Sequence, residues 1–176
     1  PFDKRKIILH QYTCFWGAFY TWVAPFWKVR VLDRHKFKRD KVYVVVSNHQ
    51  SQLDILVAFN LFRHFKRVSE ERLKEGSSVY LFPEGTRSPD DKIRSFKPGA
   101  FIIAHKLNLP ILPIAIAGTN KALPKYSMNV DGVHKIYFQI LDEIPYEKFA
   151  HLSVEDTAEM VRGVIIDAAE KLKSKG

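Results

Sequence analysis

The sequence holds a single cysteine, Cys14. One thiol excludes an internal disulfide framework and any cysteine-rich zinc site, and leaves a reducing compartment the simpler fit. No Gly-x-Ser-x-Gly run occurs, so the nucleophile elbow of the α/β-hydrolases is missing. No third ligand stands at a metal-binding spacing from the one His/Asp pair described below, and no metal site is expected. There is no internal repeat and no sign of a second core. Acidic residues are the scarcer charge, 19 against 28 Lys and Arg, which gives a net +9. Such an excess favours a polyanionic partner, whether an anionic membrane, a phosphorylated substrate or nucleic acid. Nucleic acid is the poorest of the three. The aromatics gather in an uncharged run instead of alternating with Lys and Arg as a stacking groove requires.

Charge is absent altogether from residues 7–27, which carry Tyr12, Phe15, Trp16, Phe19, Tyr20, Trp22, Phe26 and Trp27. Lys4, Arg5 and Lys6 precede this run; Lys28 and Arg30 follow it. A span needs about 20 apolar residues, so the length permits one. His10 and Gln11 lie inside the run, Pro25 breaks its last turn, and Trp and Tyr occupy its middle instead of its ends. The expectation is therefore a helix lying in, or dipping into, one leaflet. A single span ranks next and a buried core helix third. No small-x-small site follows, which argues against a cleaved leader. Residues 28–41 then hold Lys28, Arg30, Arg34, His35, Lys36, Lys38, Arg39 and Lys41 against only Asp33 and Asp40. They read as a basic run attracted to anionic headgroups at about 1 kcal/mol per residue. On this reading residues 1–41 form a membrane-associating segment and residues 42–176 one structural unit.

Two stretches carry the chemistry. Val42-Tyr43-Val44-Val45-Val46 is continuously apolar and β-branched, as a buried strand is, and Asn48-His49-Gln50-Ser51-Gln52-Leu53-Asp54 follows it at once. A polar turn at the end of a buried strand is where α/β proteins place their sites. His49 is the natural base there. Asp54 can accept its other N–H and fix the tautomer. The second stretch, Ser78 through Phe82 and on to Pro83-Glu84-Gly85-Thr86-Arg87-Ser88, repeats the plan of strand then charged turn. Gly85 permits a positive φ or a close backbone approach. Arg87 offers a planar fork for phosphate or carboxylate, and Glu84 can orient that fork or hold a substrate hydroxyl. Lys97, near a predicted helix N-terminus, is a second-rank anion candidate. Helices are expected over 53–62, 70–75 and 100–106, and strands over 65–69, 78–82, 111–117 and 134–141. A loop is expected over 121–133, with Lys121 and Lys125 exposed. A final helix, capped by Ser153 with Asp156 three positions on, has Ala158, Val161, Ile165, Ala168 and Leu172 as its apolar stripe. The fold class is α/β: a mixed, mostly buried sheet flanked by helices, with an N-terminal hydrophobic helical anchor.

Together these stretches resemble the 1-acylglycerol-3-phosphate acyltransferase family of glycerolipid acyltransferases. Asn48, His49 and Asp54 match its first motif, Asn-His-x-x-x-x-Asp. Residues Phe82-Pro83-Glu84-Gly85-Thr86-Arg87-Ser88 match its third motif without a break, and Leu112-Pro113-Ile114 its fourth. The resemblance covers about residues 40 to 145. It implies acyl transfer from acyl-CoA or acyl-carrier protein to the 2-hydroxyl of lysophosphatidic acid, giving phosphatidic acid with no bound cofactor. His49 would be the general base and Asp54 its orienting partner. Arg87 would bind the acceptor phosphate with Glu84 assisting. The Gly85-Thr86 backbone or Asn48 would stabilise the oxyanion. Ser47 and Ser51 lie near enough for a serine nucleophile to be considered, but direct transfer ranks well above it. The family's apolar N-terminal helices dock on the bilayer, which implies a monotopic protein on the cytoplasmic face of the cell membrane with an anionic membrane as partner. One departure stands out. No second motif occurs between Asp54 and Phe82, as though a longer segment were missing at about 69–70. Another lysophospholipid or an ornithine-type acceptor, and a non-catalytic basic membrane-surface module, are the alternative readings.

Overall fold

A computed structural model describes Tyr12, residues 15–17, Phe19, and residues 26–38, 40–61, 78–88, 92–123 and 132–174. The elements expected at 65–69 and 70–75, the suspected missing segment, Lys125 and most of the N-terminal apolar run lie outside these residues.

Five strands form one sheet in the order β1-β5-β4-β2-β3. They are β1 (Trp27–Leu32), β2 (Val44–Ser47), β3 (Val79–Leu81), β4 (Ile111–Ala117) and β5 (His134–Ile140). β2 pairs in parallel with both β3 and β4; β5 runs antiparallel to β4 and parallel to β1. The C-terminal ends of β2, β3 and β4 therefore share one edge of the sheet, and the two polar turns emerge there side by side. β2 and β4 are buried along their whole length, which is why their sequences run apolar without alternation. Pro113 sits inside central β4, where a missing N–H would ordinarily break a ladder. It falls where pairing with β5 ends: its carbonyl accepts the Leu141 N–H at 3.0 Å, and regular pairing begins at Ile114.

Helices cover both faces. On one side α1 (Leu53–Leu61) and α3 (Thr119–Ala122) pack Leu53, Val57 and Ala122 onto Val45, Leu112, Ile114, Ile116 and Phe138. On the other, α2 (Gly99–Leu107) and α4 (Val154–Lys173) bury Phe101, Ala104, Val161 and Ile165 against Val44, Val46, Val79 and Ala115. Truncating one such side chain, Ile165→Ala for instance, costs about 2–5 kcal/mol. The α4 cap is as its sequence implies: Ser153 Oγ accepts the Asp156 N–H at 3.0 Å, and the whole expected stripe from Ala158 to Leu172 is buried.

The structure corrects two expectations. Trp27–Leu32, which begins the basic run in the sequence reading, is a strand of the sheet and not part of a separate N-terminal segment. Trp27, Val29 and Val31 pack on the core while Lys28 and Arg30 point outward, so the period-2 pattern lies hidden beneath the charge. Residues 119–122, expected as turn and loop, form the short helix α3. Gly118 makes this corner possible: its φ is 90°, and a side chain there would strike the Lys135 carbonyl. Among the described residues no helix is long and apolar enough to cross a membrane.

Candidate active site

The spacing of the His/Asp pair follows from how the chain leaves β2. Ser51 caps α1 by accepting the Leu53 N–H through its hydroxyl, and Asp54, three positions on, reaches back to accept the Ser51 N–H at 2.8 Å. This is the reciprocal capping box of a helix N-terminus. The same Asp54 Oδ2 accepts the Gln50 N–H at 2.7 Å and lies 3.0 Å from His49 Nδ1. Three donors converging on one oxygen suit a carboxylate, so in the neutral imidazole Nδ1 is the protonated ring nitrogen. Nε2 then carries the lone pair, and among the described residues it has no partner. Asp54 is fully buried, whereas the His49 side chain keeps 12% of its surface exposed. Phe82 stacks on the imidazole with centroids 4.3 Å apart, setting the ring plane.

The backbone of His49 is held as firmly as its ring. Its N–H donates to Glu84 Oε1 at 2.7 Å, and its carbonyl accepts the Ser88 N–H at 3.0 Å. Both partners belong to the turn after β3, so the two motifs are bonded together at His49. Arg87 stands immediately before Ser88 and is half-buried. The imidazole and the guanidinium thus come from adjoining turns at one end of the sheet.

Two residues expected at the substrate act as clamps in the fold. Glu84 is buried and spends Oε1 on His49 and Oε2 on the Arg94 N–H, at 3.0 Å. Burial pushes its carboxyl above the usual range, opposed by those two backbone bonds and by nearby His49. Asn48 is fully buried: its Nδ2 donates to the Ile116 carbonyl at 2.9 Å and its Oδ1 accepts the Ile116 N–H at 2.8 Å. It continues the β2–β4 ladder with a side chain that is closed to solvent. The Gly85 N–H is used within its own turn, on the Phe82 carbonyl at 3.1 Å. Thr86, exposed beside it, has no bond among the described residues. Neither serine is set up as a nucleophile. Ser47 Oγ pairs with Tyr80 OH at 2.7 Å, and Ser51 Oγ donates to the Leu123 carbonyl at 2.8 Å.

Sequence reasoning missed three contributors. Phe82 was read only as motif, though an aromatic directly before Pro-Glu-Gly is the one signal for a stacking floor. Tyr80, whose hydroxyl burial holds well above its ordinary range, backs the strand end through Ser47. Arg94 contributes only its backbone N–H, which no side-chain motif can announce.

The acyltransferase family model matches residues 63–117. A 1-acyl-sn-glycerol-3-phosphate acyltransferase of Chlamydomonas reinhardtii is 34% identical over 162 residues, covering 70% of this chain and 48% of that protein. A chloroplastic 1-acyl-sn-glycerol-3-phosphate acyltransferase of Arabidopsis thaliana is 30% identical over 168 residues, covering 73% and 47%. The chain thus spans about half the length of these curated relatives. The crystal structure of PlsC, the 1-acyl-sn-glycerophosphate acyltransferase of Thermotoga maritima, superposes with a TM-score of 0.79 at 26% identity. That match covers 98% of this chain and 83% of PlsC.

Proposed function

Because the chain belongs to the acyltransferase family, we propose that it transfers a fatty acyl group from a thioester to the 2-hydroxyl of 1-acylglycerol-3-phosphate, giving phosphatidic acid. One observation carries the reading: an imidazole locked through Nδ1 by a buried carboxylate, its Nε2 without a partner among the described residues, is bonded through its backbone to the turn that bears Arg87. In the step itself the acceptor hydroxyl oxygen attacks the thioester carbonyl carbon while Nε2 takes the hydroxyl proton. Asp54 stabilises the imidazolium that forms. The tetrahedral oxyanion collapses with loss of the thiolate, and the imidazolium returns the proton to sulfur, so His49 ends neutral. Arg87 holds the acceptor phosphate. The Thr86 N–H, which has no partner among the described residues, is assigned as the oxyanion donor. No covalent acyl-enzyme and no bound cofactor are needed. Acyl-CoA and acyl-carrier protein are the two donor classes, the second a protein partner as well.

The protein works on an anionic membrane at the cytoplasmic face. Tyr12, Phe15, Trp16 and Phe19 are helical at the spacing of one face and 40–62% exposed. Gly17 packs on the Leu56 carbonyl and Phe59 of α1. An aromatic face turned outward from a helix seated on the domain suits an interfacial anchor, and Lys28 and Arg30 flank it. Acyl transfer from radiolabelled CoA and carrier-protein thioesters to a panel of lysolipids on liposomes tests the reading. His49→Ala is expected to lower transfer to lysophosphatidic acid by about 10²–10⁴-fold with liposome binding retained. Undiminished transfer by that variant sinks the enzyme mechanism. A preferred acceptor without phosphate sinks the assignment of substrate.

A further inference from the structure

The segment joining the third motif to α2 is tied down from three directions. The Lys97 N–H donates to the Pro83 carbonyl at 2.8 Å, and the Arg94 N–H donates to Glu84 at 3.0 Å. From the far face, Arg162 of α4 donates its Nε to the Arg94 carbonyl and its Nη2 to the Ile93 carbonyl, both at 2.9 Å. Its remaining nitrogen is paired with Glu159 at 2.6 Å, which fixes the plane of the fork. A planar guanidinium spanning two successive carbonyls sets the orientation of the segment it holds, and the segment ends at Lys97.

Lys97 closes this tied segment. It is exposed, and among the described residues no carboxylate pairs with it. Its side chain lies across the open face of Gly85. A Cβ built there would meet Lys97 Nζ at 2.7 Å and Cε at 2.9 Å. Gly85 has φ 70°, so the turn needs glycine for its backbone, and the missing side chain leaves room for the lysine. Arg87 is two positions further along the same turn. We propose that Lys97, presented over Gly85 by a strap that Arg162 anchors to α4, is the second cation of the acceptor-phosphate subsite beside Arg87, with Arg162 as its positioning residue. A phosphate monoester carries up to two negative charges, and a compact ammonium opposite a planar fork satisfies oxygens that one arginine leaves open.

This inference rests on the acyl-transfer reading above and is tested beside it. Initial rates are measured with lysophosphatidic acid and thioester varied separately, and with phosphate-free monoacylglycerol as a second acceptor. Lys97→Ala is expected to raise the KM for lysophosphatidic acid about five- to tenfold and to leave the thioester KM unchanged. It should lower the preference for the phosphorylated acceptor by the same factor. Lys97→Arg restores most of it. Arg162→Leu, which touches no substrate, should raise the same KM by a smaller factor, and the double variant should do no worse than Lys97→Ala alone. Should Arg162→Leu fail to fold, Arg162→Lys serves in its place, losing the two-carbonyl span while keeping the charge. An unchanged lysophosphatidic acid KM in Lys97→Ala, while Arg87→Ala raises it, overturns the proposal and leaves the enzyme reading intact. Equal loss with both acceptors assigns Lys97 elsewhere. Additive effects of Arg162 and Lys97 variants overturn the positioning role.

Discussion

Glu84→Gln separates what this carboxylate contributes as a clamp from what it costs as a buried charge. Glu84 is 4% exposed, and its two oxygens accept the His49 and Arg94 N–H groups at 2.7 and 3.0 Å. Glutamine keeps the size and one acceptor but turns an NH2 toward the second N–H. The longer bond, to Arg94, is the one expected to go. A buried donor left unmatched costs about 1–3 kcal/mol. Removing the charge recovers part of this, because burial is the largest influence on Glu84 and raises its carboxyl above the ordinary 4.5. The net loss at neutral pH is expected at about 1–2 kcal/mol. At roughly 2–4 °C per kcal/mol for a chain of this size, melting should fall by about 2–8 °C. The pH dependence has a definite sign. A carboxyl raised on folding binds its proton more readily in the folded chain, so its contribution is full below 4.5 and is lost as pH rises through the raised value. The wild-type advantage over Glu84→Gln should therefore shrink as pH climbs from 4.5, read from urea unfolding of both proteins over a pH series. An advantage that grows over that window would show the clamp outweighing burial, and the reasoning would be wrong. Turnover should drop about 10- to 100-fold as His49 loses part of its fixed frame. An unchanged kcat with an unchanged melting point would refute the clamp itself.

Asn48→Ala leaves both polar groups of Ile116 unmatched in a fully buried site, so urea unfolding should show a loss of about 2–5 kcal/mol. A loss under about 0.5 kcal/mol would mean that the side chain does not continue the ladder. At the other end of the sheet, burial and then the bond to Glu143 push the Tyr43 hydroxyl up to about 12. Its stabilisation is full below its ordinary value of 10 and is lost as pH rises through about 12. Wild type should lose more stability than Tyr43→Phe on alkaline titration, and parallel curves for the two proteins would refute this.

Much of the site was legible because it is local. The His49–Asp54 bond is set by a strand end, a three-residue turn and a helix cap, all within seven consecutive residues. The buried strands β2 and β4 and the stripe of α4 were likewise carried by short-range pattern. The edge strand β1 was not, because Lys28 and Arg30 on its outer face mask the inward alternation of Trp27, Val29 and Val31. Glu84 and Asn48 were placed at the site without their backbone partners, since each meets a backbone group whose position only folding supplies.

The sequence by itself determined which groups each turn carries: an imidazole with its carboxylate after β2, and a glycine with a guanidinium after β3. Their types and short spacings encode that much, since a turn or a cap closes over a few residues regardless of the rest of the chain. Tertiary structure decided which polar groups remain open to a substrate. Glu84 bonds across 35 positions of sequence, Asn48 across 68 and Arg162 across 68 and 69. A hydrogen bond at that separation exists only once the sheet has brought its strands into register, and each one made is a side chain withdrawn from the ligand.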